Sequence, residues 1–365
     1  LASFRLCLIF TPLVRYFAVR NGFVAHPRPD RWNKKVTATL GGIGIYLATI
    51  IPAFFIWIPN ISNKNHAGLF IGATILFIVG LLVDKFRFKP YTKLFTQIIA
   101  ACIVISLGSI FELPVYNFLS IPFTILWIVG VTNAFNLLDN IDGLAAGIAF
   151  ISSLMLFLST KFSPSNNLFG IYGLLLSGAA LGFLPYNFRR AKIFMGDSGS
   201  MFIGFWLAVI SISGTPRHMS NFLTTLLIPA LILSVPIFDT IFVMTVRKLQ
   251  GRKLFEGGKD HTSHHLITLG LSQKKTILLL YAISAAFGFI ALFYSKLDIF
   301  IITIIAFLAI VVLLFFGIFI SEPSLSNHKK KTHAPGHQKL KKEILVLNYV
   351  FMHKRRTVEI LIDLS

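Results

Sequence analysis

The sequence predicts an all-α, polytopic integral membrane protein of about 11 transmembrane helices, with the N-terminus outside and the C-terminus cytoplasmic. Three observations predict it. Only 13% of the 365 residues are charged and 55% are hydrophobic, against roughly 25% charged in an average soluble domain. Successive apolar runs approach the about 20 residues that a helix needs to cross a bilayer. The net charge of +20, from 34 Lys+Arg against 14 Asp+Glu, is unevenly spread along the chain. The 37 Phe and modest Gly and Pro content exclude a disordered or collagen-like chain. Cys7 and Cys102 both sit in apolar runs, so neither a disulfide framework nor a Cys-based zinc site can be built.

The runs fall at approximately 1–19, 41–59, 66–83, 94–111, 120–138, 143–160, 167–185, 199–214, 222–246, 276–295 and 298–320. A single run of this kind can be a buried core helix, but this many, joined by short polar links, leave no surface for water to cover. The first run differs from a signal peptide because no small-residue cleavage site follows it. The opening Leu1 and the apolar stretch 358–364 just before Ser365 suggest a chain cut from something longer. Assigning alternate connections to opposite sides places 29 Lys and Arg on one side and five (Arg5, Lys64, Lys161, Arg217 and Lys296) on the other. Short cytoplasmic loops collect Lys and Arg, which sets the orientation. The domain plan is a membrane unit over 1–320, with a cytoplasmic histidine loop at 247–275, and a basic cytoplasmic tail over 321–365.

The acidic residues gather on the same predicted side. Asp84, Asp139, Asp142, Asp197 and Asp260 fall at cytoplasmic ends or loops, and Asp239 lies eight residues before Arg247, roughly 12 Å below the surface. Carboxylates at a membrane boundary are expensive unless paired, hydrated or metal-bound. Helix caps and salt bridges to the basic loops explain any one of them, whereas the set points to an ion or a cationic ligand.

The most informative stretch is Asn133-Ala-Phe-Asn136-Leu-Leu-Asp139-Asn140-Ile-Asp142-Gly143. Its polar residues recur every third position and are neighbours on a helix, but the drift around the axis prevents a straight helix from aiming all of them at one point. The segment is therefore expected to open near Asp142-Gly143. Amides of this kind hydrogen-bond a base or sugar, and the carboxylates hold Mg²⁺ or its waters. A second motif, Phe194-Met-Gly-Asp197-Ser198-Gly199-Ser200, stands before an apolar run, where a helix N-terminus favours anions. A simple Asp/Ser N-cap would also explain it. The third motif runs over 257–266 and contains Asp260, His261, His264 and His265. Without Cys, and with the aspartates nearby, phosphate contact is favoured over zinc.

These motifs, with the basic stretch at 27–32, Gly41-Gly42, Asp84 and Lys93-Leu-Phe-Thr-Gln97, give the chain a resemblance to the polyprenyl-phosphate N-acetylhexosamine-1-phosphate transferase family. The resemblance implies an all-helical membrane fold that transfers a sugar phosphate from a UDP-sugar to undecaprenyl phosphate at the cytoplasmic face of the inner membrane, with Mg²⁺ or Mn²⁺, releasing UMP and initiating wall or surface polysaccharide synthesis. By its histidine loop the chain is more similar to the UDP-GlcNAc branch than to the muramoyl-pentapeptide branch. The resemblance implies Asp197 and Asp84 as metal ligands, Phe194 near the uracil, and Asn133, Asn136, Asp139 and Asp142 lining the nucleotide-sugar site. His264 and His265 would face the diphosphate, with His261 beside them as a catalytic candidate, and Lys93 would support the site electrostatically. Asp239 also matches a family position. The implied partners are a UDP-HexNAc, the polyprenyl phosphate and the bilayer, without nucleic acid, and a homodimer is a compatible assembly.

One position departs from the family pattern. Where two adjacent aspartates are usual, this chain has Val83-Asp84. A phosphate monoester, with a second pKa near 6, is mostly dianionic at pH 7 and already a competent nucleophile, so activity is expected to persist at a reduced level and to rise on Val83→Asp. The alternatives are a disabled homologue that binds lipid or acts as a scaffold, and a secondary transporter. The transporter reading asks for midplane binding residues and repeats, neither of which the sequence displays.

Overall fold

The computed structural model describes residues 1–26, 35–60, 62–86, 88–111, 117–161, 168–214, 222–253, 258, 260–293 and 317. The chain divides into two units, Leu1–Ser321 and Glu322–Ser365, and every described residue belongs to the first. The expected basic tail, the stretch 27–32 and, apart from Gly317, the run 298–320 lie outside the described residues.

In chain order the helices are α1 (Ala2–Arg20), α2 (Gly42–Trp57), α3 (Lys64–Phe86), α4 (Pro90–Ser106), α5 (Asn117–Leu138), α6 (Leu144–Lys161), α7 (Leu168–Asn187), α8 (Gly196–Ser213), α9 (Phe222–Ile232), α10 (Ser234–Leu249), α11 (Thr262–Thr268) and α12 (Gln273–Phe293). Between α1 and α2 the short strands β1 (Val24–Ala25) and β2 (Thr37–Ala38) pair antiparallel. Among the described residues eight helices are long and apolar enough to cross a membrane. The chain is a polytopic all-α membrane protein.

Two expected runs take a different form. The run at 94–111 becomes α4, which begins at Pro90, a residue suited to the first helical position because it has no N–H to leave unpaired. At 17 residues α4 is not among those eight. The run at 222–246 is bent by 80° between residue 232 and Ser234. Pro236 cannot donate to the carbonyl of Ile232 four residues earlier, and the hydroxyl of Ser152 on α6 donates to that carbonyl at 3.0 Å. A polar backbone group released by the break is thus satisfied inside the protein, as a bilayer requires.

The hub is α8, buried continuously from Ser198 to Ile212. A helix apolar on all sides belongs in the centre of a bundle, and α3 and α5 both pack against it. Close approach depends on small residues, because lipid tails are as apolar as Leu and helices in a membrane associate by packing. A Cβ on Gly42 of α2 would collide with the backbone of Gly199, and one on Gly80 of α3 with the backbone of Ser198. Three helices therefore meet at the first turn of α8. On the outer faces Phe55, Phe118 and Leu126 are exposed, as lipid-facing side chains should be.

Candidate active site

The site is assembled around the N-terminus of α8. Gly196 has φ +75°, and a side chain on it would run into the carboxylate of Asp84. Asp84, at the end of α3, accepts the backbone N–H of Asp197 at 2.8 Å and that of Ser198 at 3.1 Å, together with the Ser198 hydroxyl at 2.9 Å. These N–H groups belong to the first turn, which has no partners within the helix, and a carboxylate there also answers the positive end of the helix dipole. The cap expected from Asp197 or Ser198 itself is supplied instead by a neighbouring helix. On the other side the segment preceding α8 is held by α2 and its approach. Ala38 bridges Ile193, Phe194 N–H donates to Ala38, and Gly41 and Gly42 N–H donate to the carbonyls of Phe194 and Met195. Phe194 is thereby fixed at the rim, partly buried.

Asp197 has its backbone bound by Asp84 and its side chain turned to α4 and α5. Lys93 Nζ lies 2.8 Å from Oδ2, and Asn136 Nδ2 donates to Oδ1 at 2.5 Å and to Ser200 Oγ at 2.9 Å. One turn further along α4, Gln97 pairs reciprocally with Asn133, the two amides bonding at 2.6 and 3.3 Å. Lys93 and Gln97 are four residues apart and Asn136 and Asn133 three apart, so each pair shares one helix face. The two faces form a short polar ladder between α4 and α5, ending at Asp197. The Lys93 and Asp197 side chains are 20% and 25% exposed, so the ladder ends at a surface that a ligand can reach.

The Asn/Asp motif opens, as expected, but from Asp139 onward rather than at Asp142-Gly143. Helix α5 ends at Leu138, and Gly143 takes φ +81° before α6 begins. Its residues then go to different places. Asn140 accepts the Ser263 hydroxyl at 2.8 Å, and Asp142 accepts the backbone N–H of Ala191 at 2.9 Å. Burial pushes the Asp142 carboxyl above the ordinary carboxylate range, against the pull of the Ala191 and Arg190 N–H groups. Asp139 lies between Asn136 and Asn140, partly buried. Asn187 locks the turn: it accepts Gly143 N–H at 2.9 Å and donates to the Ile193 carbonyl at 3.0 Å, tying the motif to the segment before α8.

The histidine loop docks on α10. Asp239 is 2% exposed and binds His261 and Thr262. Asp260 is held by Arg247 Nε at 3.1 Å and by an Arg252 guanidinium nitrogen at 2.8 Å. His264 and His265 lie buried in α11, with the His265 ring perpendicular to that of Phe242 at 5.2 Å between centroids.

Two clusters result, one at the α8 N-terminus and one at α11, linked by the turn that follows Asn136. The first contains Asp84, Lys93, Asn136 and Asp197; the second contains Asp239, Asp260, His261, His264 and His265. Asn133 is removed from both and serves the ladder. Among the described residues no group of three or more His, Cys, Asp or Glu forms a ready-made metal cage. A Mg²⁺ ion needs no such cage, since it keeps several waters and is held by one or two carboxylates plus substrate phosphates. Asp197 fits this description. Both oxygens of each expected ligand are engaged, those of Asp84 by the first turn of α8 and those of Asp197 by the Lys93 and Asn136 side chains. Sequence reasoning missed Asn187 and Thr262 as supports: a lone Asn closing an apolar helix and a Thr between histidines carry no pattern of their own.

Residues 66–215 match the profile described as glycosyl transferase family 4. The chain is 32% identical over 344 residues to a protein of Bacillus subtilis (strain 168) named as a probable undecaprenyl-phosphate N-acetylglucosaminyl 1-phosphate transferase, an alignment covering 92% of this chain and 94% of that one. It is 30% identical over 302 residues to the decaprenyl-phosphate N-acetylglucosaminephosphotransferase of Mycobacterium tuberculosis, covering 73% and 74% of the two chains. A phospho-N-acetylmuramoyl-pentapeptide-transferase of Staphylococcus saprophyticus is 29% identical over 316 residues, covering 80% and 95%.

Proposed function

We propose a specific reaction for this chain, which belongs to glycosyl transferase family 4: it transfers N-acetylglucosamine 1-phosphate to undecaprenyl phosphate. It is an enzyme of a multi-pass bacterial membrane, and the lipid carrier explains why its polar groups sit where helices end. A polyprenyl tail has to stay in the bilayer while its phosphate meets a water-soluble donor. The donor in this reading is UDP-GlcNAc, the leaving group is UMP, and the site faces the cytoplasm, consistent with the concentration of Lys and Arg in the loops on its side of the sequence.

The observation that carries the reading is Asp197, placed at a helix N-terminus with Lys93 and Asn136 on its two carboxylate oxygens. Phosphoryl transfer needs little covalent help from a protein; it needs placement and compensation of negative charge. The lipid phosphate, largely dianionic at neutral pH, attacks the phosphorus that bears the sugar. The bond from that phosphorus to the UMP oxygen breaks as the new P–O bond forms. Lys93 compensates developing charge, and Asn136 fixes the Asp197 carboxylate. Mg²⁺, or Mn²⁺ in its place, would be held by Asp197 with the donor phosphates and would supply Lewis-acid stabilisation of the diphosphate. The valine at position 83 is compatible with this chemistry, because the nucleophile arrives ionised and Asp84 retains the cap. Purified protein in detergent, given undecaprenyl phosphate and a panel of UDP-HexNAc sugars, is expected to release UMP only with both substrates, fastest with UDP-GlcNAc. Asp197→Asn is expected to abolish the release. Release without the lipid, or undiminished release from Asp197→Asn, would overturn the reading.

A further inference from the structure

The Asp239 carboxylate divides its two oxygens between different tasks. Oδ1 accepts the backbone N–H of Thr262 at 2.8 Å and its hydroxyl at 2.6 Å, whereas Oδ2 meets His261 Nδ1 at 2.8 Å. An ionised carboxylate only accepts, so the proton of this bond sits on Nδ1 and the ring's remaining nitrogen is Nε2. The Asp239 and His261 side chains are 3% and 7% exposed, so water competes little for the bond. Among the described residues no hydrogen bond reaches Nε2. Two residues on, the Ser263 hydroxyl donates to Asn140 Oδ1 at 2.8 Å. The ring therefore stands in a segment anchored on one side to α10 and on the other to the turn carrying Asp139 and Asp142.

We propose that Asp239 is a positioning residue of the transfer reaction, acting through His261: it fixes the ring's tautomer and aim so that Nε2 is the nitrogen presented to a substrate phosphate oxygen. The proposal rests on the transferase reading above. It assigns the buried carboxylate a purpose beyond capping α11. Capping needs only Oδ1, and the contact from Oδ2 to Nδ1 adds nothing to it.

Two variants separate the tasks. In Asp239→Asn the amide oxygen stays with the two Thr262 donors, which leaves an NH₂ facing His261 Nδ1. That nitrogen must then accept, and the proton moves to Nε2. Thr262→Val removes one bond to Oδ1 and weakens the helix start, but leaves Oδ2 and the ring as they are. Ring-nitrogen spectra of ¹⁵N-histidine-labelled protein, with His261→Gln to assign the signal, are expected to show protonated Nδ1 in the wild type and protonated Nε2 in Asp239→Asn. UMP release by Asp239→Asn is expected to fall about 10²-fold in kcat, with KM for UDP-GlcNAc within about threefold of wild type. Thr262→Val is expected to lower the Tm and keep kcat within about threefold.

A wild-type ring protonated at Nε2 would overturn the proposal, as would Asp239→Asn turning over like wild type. Loss of kcat in both variants in step with their loss of Tm would reduce Asp239 to a cap. A wild type that releases no UMP with any sugar would sink the transferase reading, while the ring spectra would still decide the pairing.

Discussion

Asp84 and Asp197 are joined backbone to side chain: the Asp84 carboxylate accepts the Asp197 N–H at 2.8 Å, leaving the Asp197 carboxylate to Lys93 and Asn136. Two acidic residues that look alike in the sequence thus have separate tasks. One holds the helix end and the other faces the polar side chains of α4 and α5.

Removal of the first should therefore act through stability as well as rate. Asp84→Ala strips two α8 N–H groups of their acceptor, and loss of a cap costs about 0.5–2 kcal/mol. The Tm in detergent should fall, and UMP release should fall at least about 10²-fold because Asp197 loses its placement. A variant with full activity and unchanged Tm would contradict the cap.

Lys93 occupies the position of a counter-ion to Asp197. Lys93→Ala should lower UMP release by about 10²-fold while tightening divalent binding, since the carboxylate is freed of a competing cation. Mn²⁺ titration followed by electron paramagnetic resonance measures the second effect independently of turnover. Weaker Mn²⁺ binding in the variant would contradict the arrangement.

Asp142 makes a pH prediction. Burial raises its pKa in the folded state above the ordinary 3.8, so the folded protein binds the proton more readily than the unfolded chain. Ionising it opposes folding, and its contribution to stability declines as the pH rises from about 3.8 through the folded pKa. Asp142→Asn should flatten the pH dependence of the Tm across that window and keep or raise the Tm at pH 7, while lowering activity if the carboxylate lines the donor site. A Tm that drops at pH 7 in the variant would argue that the ionised form is the stabilising one.

Gly80→Ala tests the close contact of α3 with α8, where the added methyl meets the Ser198 backbone. Overpacking of this kind costs about 1–3 kcal/mol, and here it also displaces the first turn of α8. Lower folded yield and lower activity should appear together; an unchanged variant would mean that α3 and α8 are further apart.

Much of this architecture was legible in the sequence, because a bilayer imposes simple demands. Length and apolarity alone place eight of the expected spans among the described residues, and Gly143 lies in the opening after α5. The bend between α9 and α10 was hidden, since Pro236 lies inside an apolar run and its compensation by Ser152 comes from a helix 80 residues away. Within the site, Asp197, Lys93 and Asn136 converge. Asn133 shared their spacing yet binds Gln97, because three-residue steps drift around the helix until the residue faces another neighbour. The division of labour between Asp84 and Asp197 depends on which atoms meet, and spacing along a chain does not carry that information.

The most direct measurement is the identity of both products of one reaction, determined by mass spectrometry after incubating the purified protein with undecaprenyl phosphate and UDP-GlcNAc. Transfer of the sugar phosphate predicts undecaprenyl diphosphate-linked GlcNAc and UMP in equal amounts. Undecaprenyl monophosphate-linked GlcNAc accompanied by UDP would mean that the sugar alone is moved, and would contradict the account.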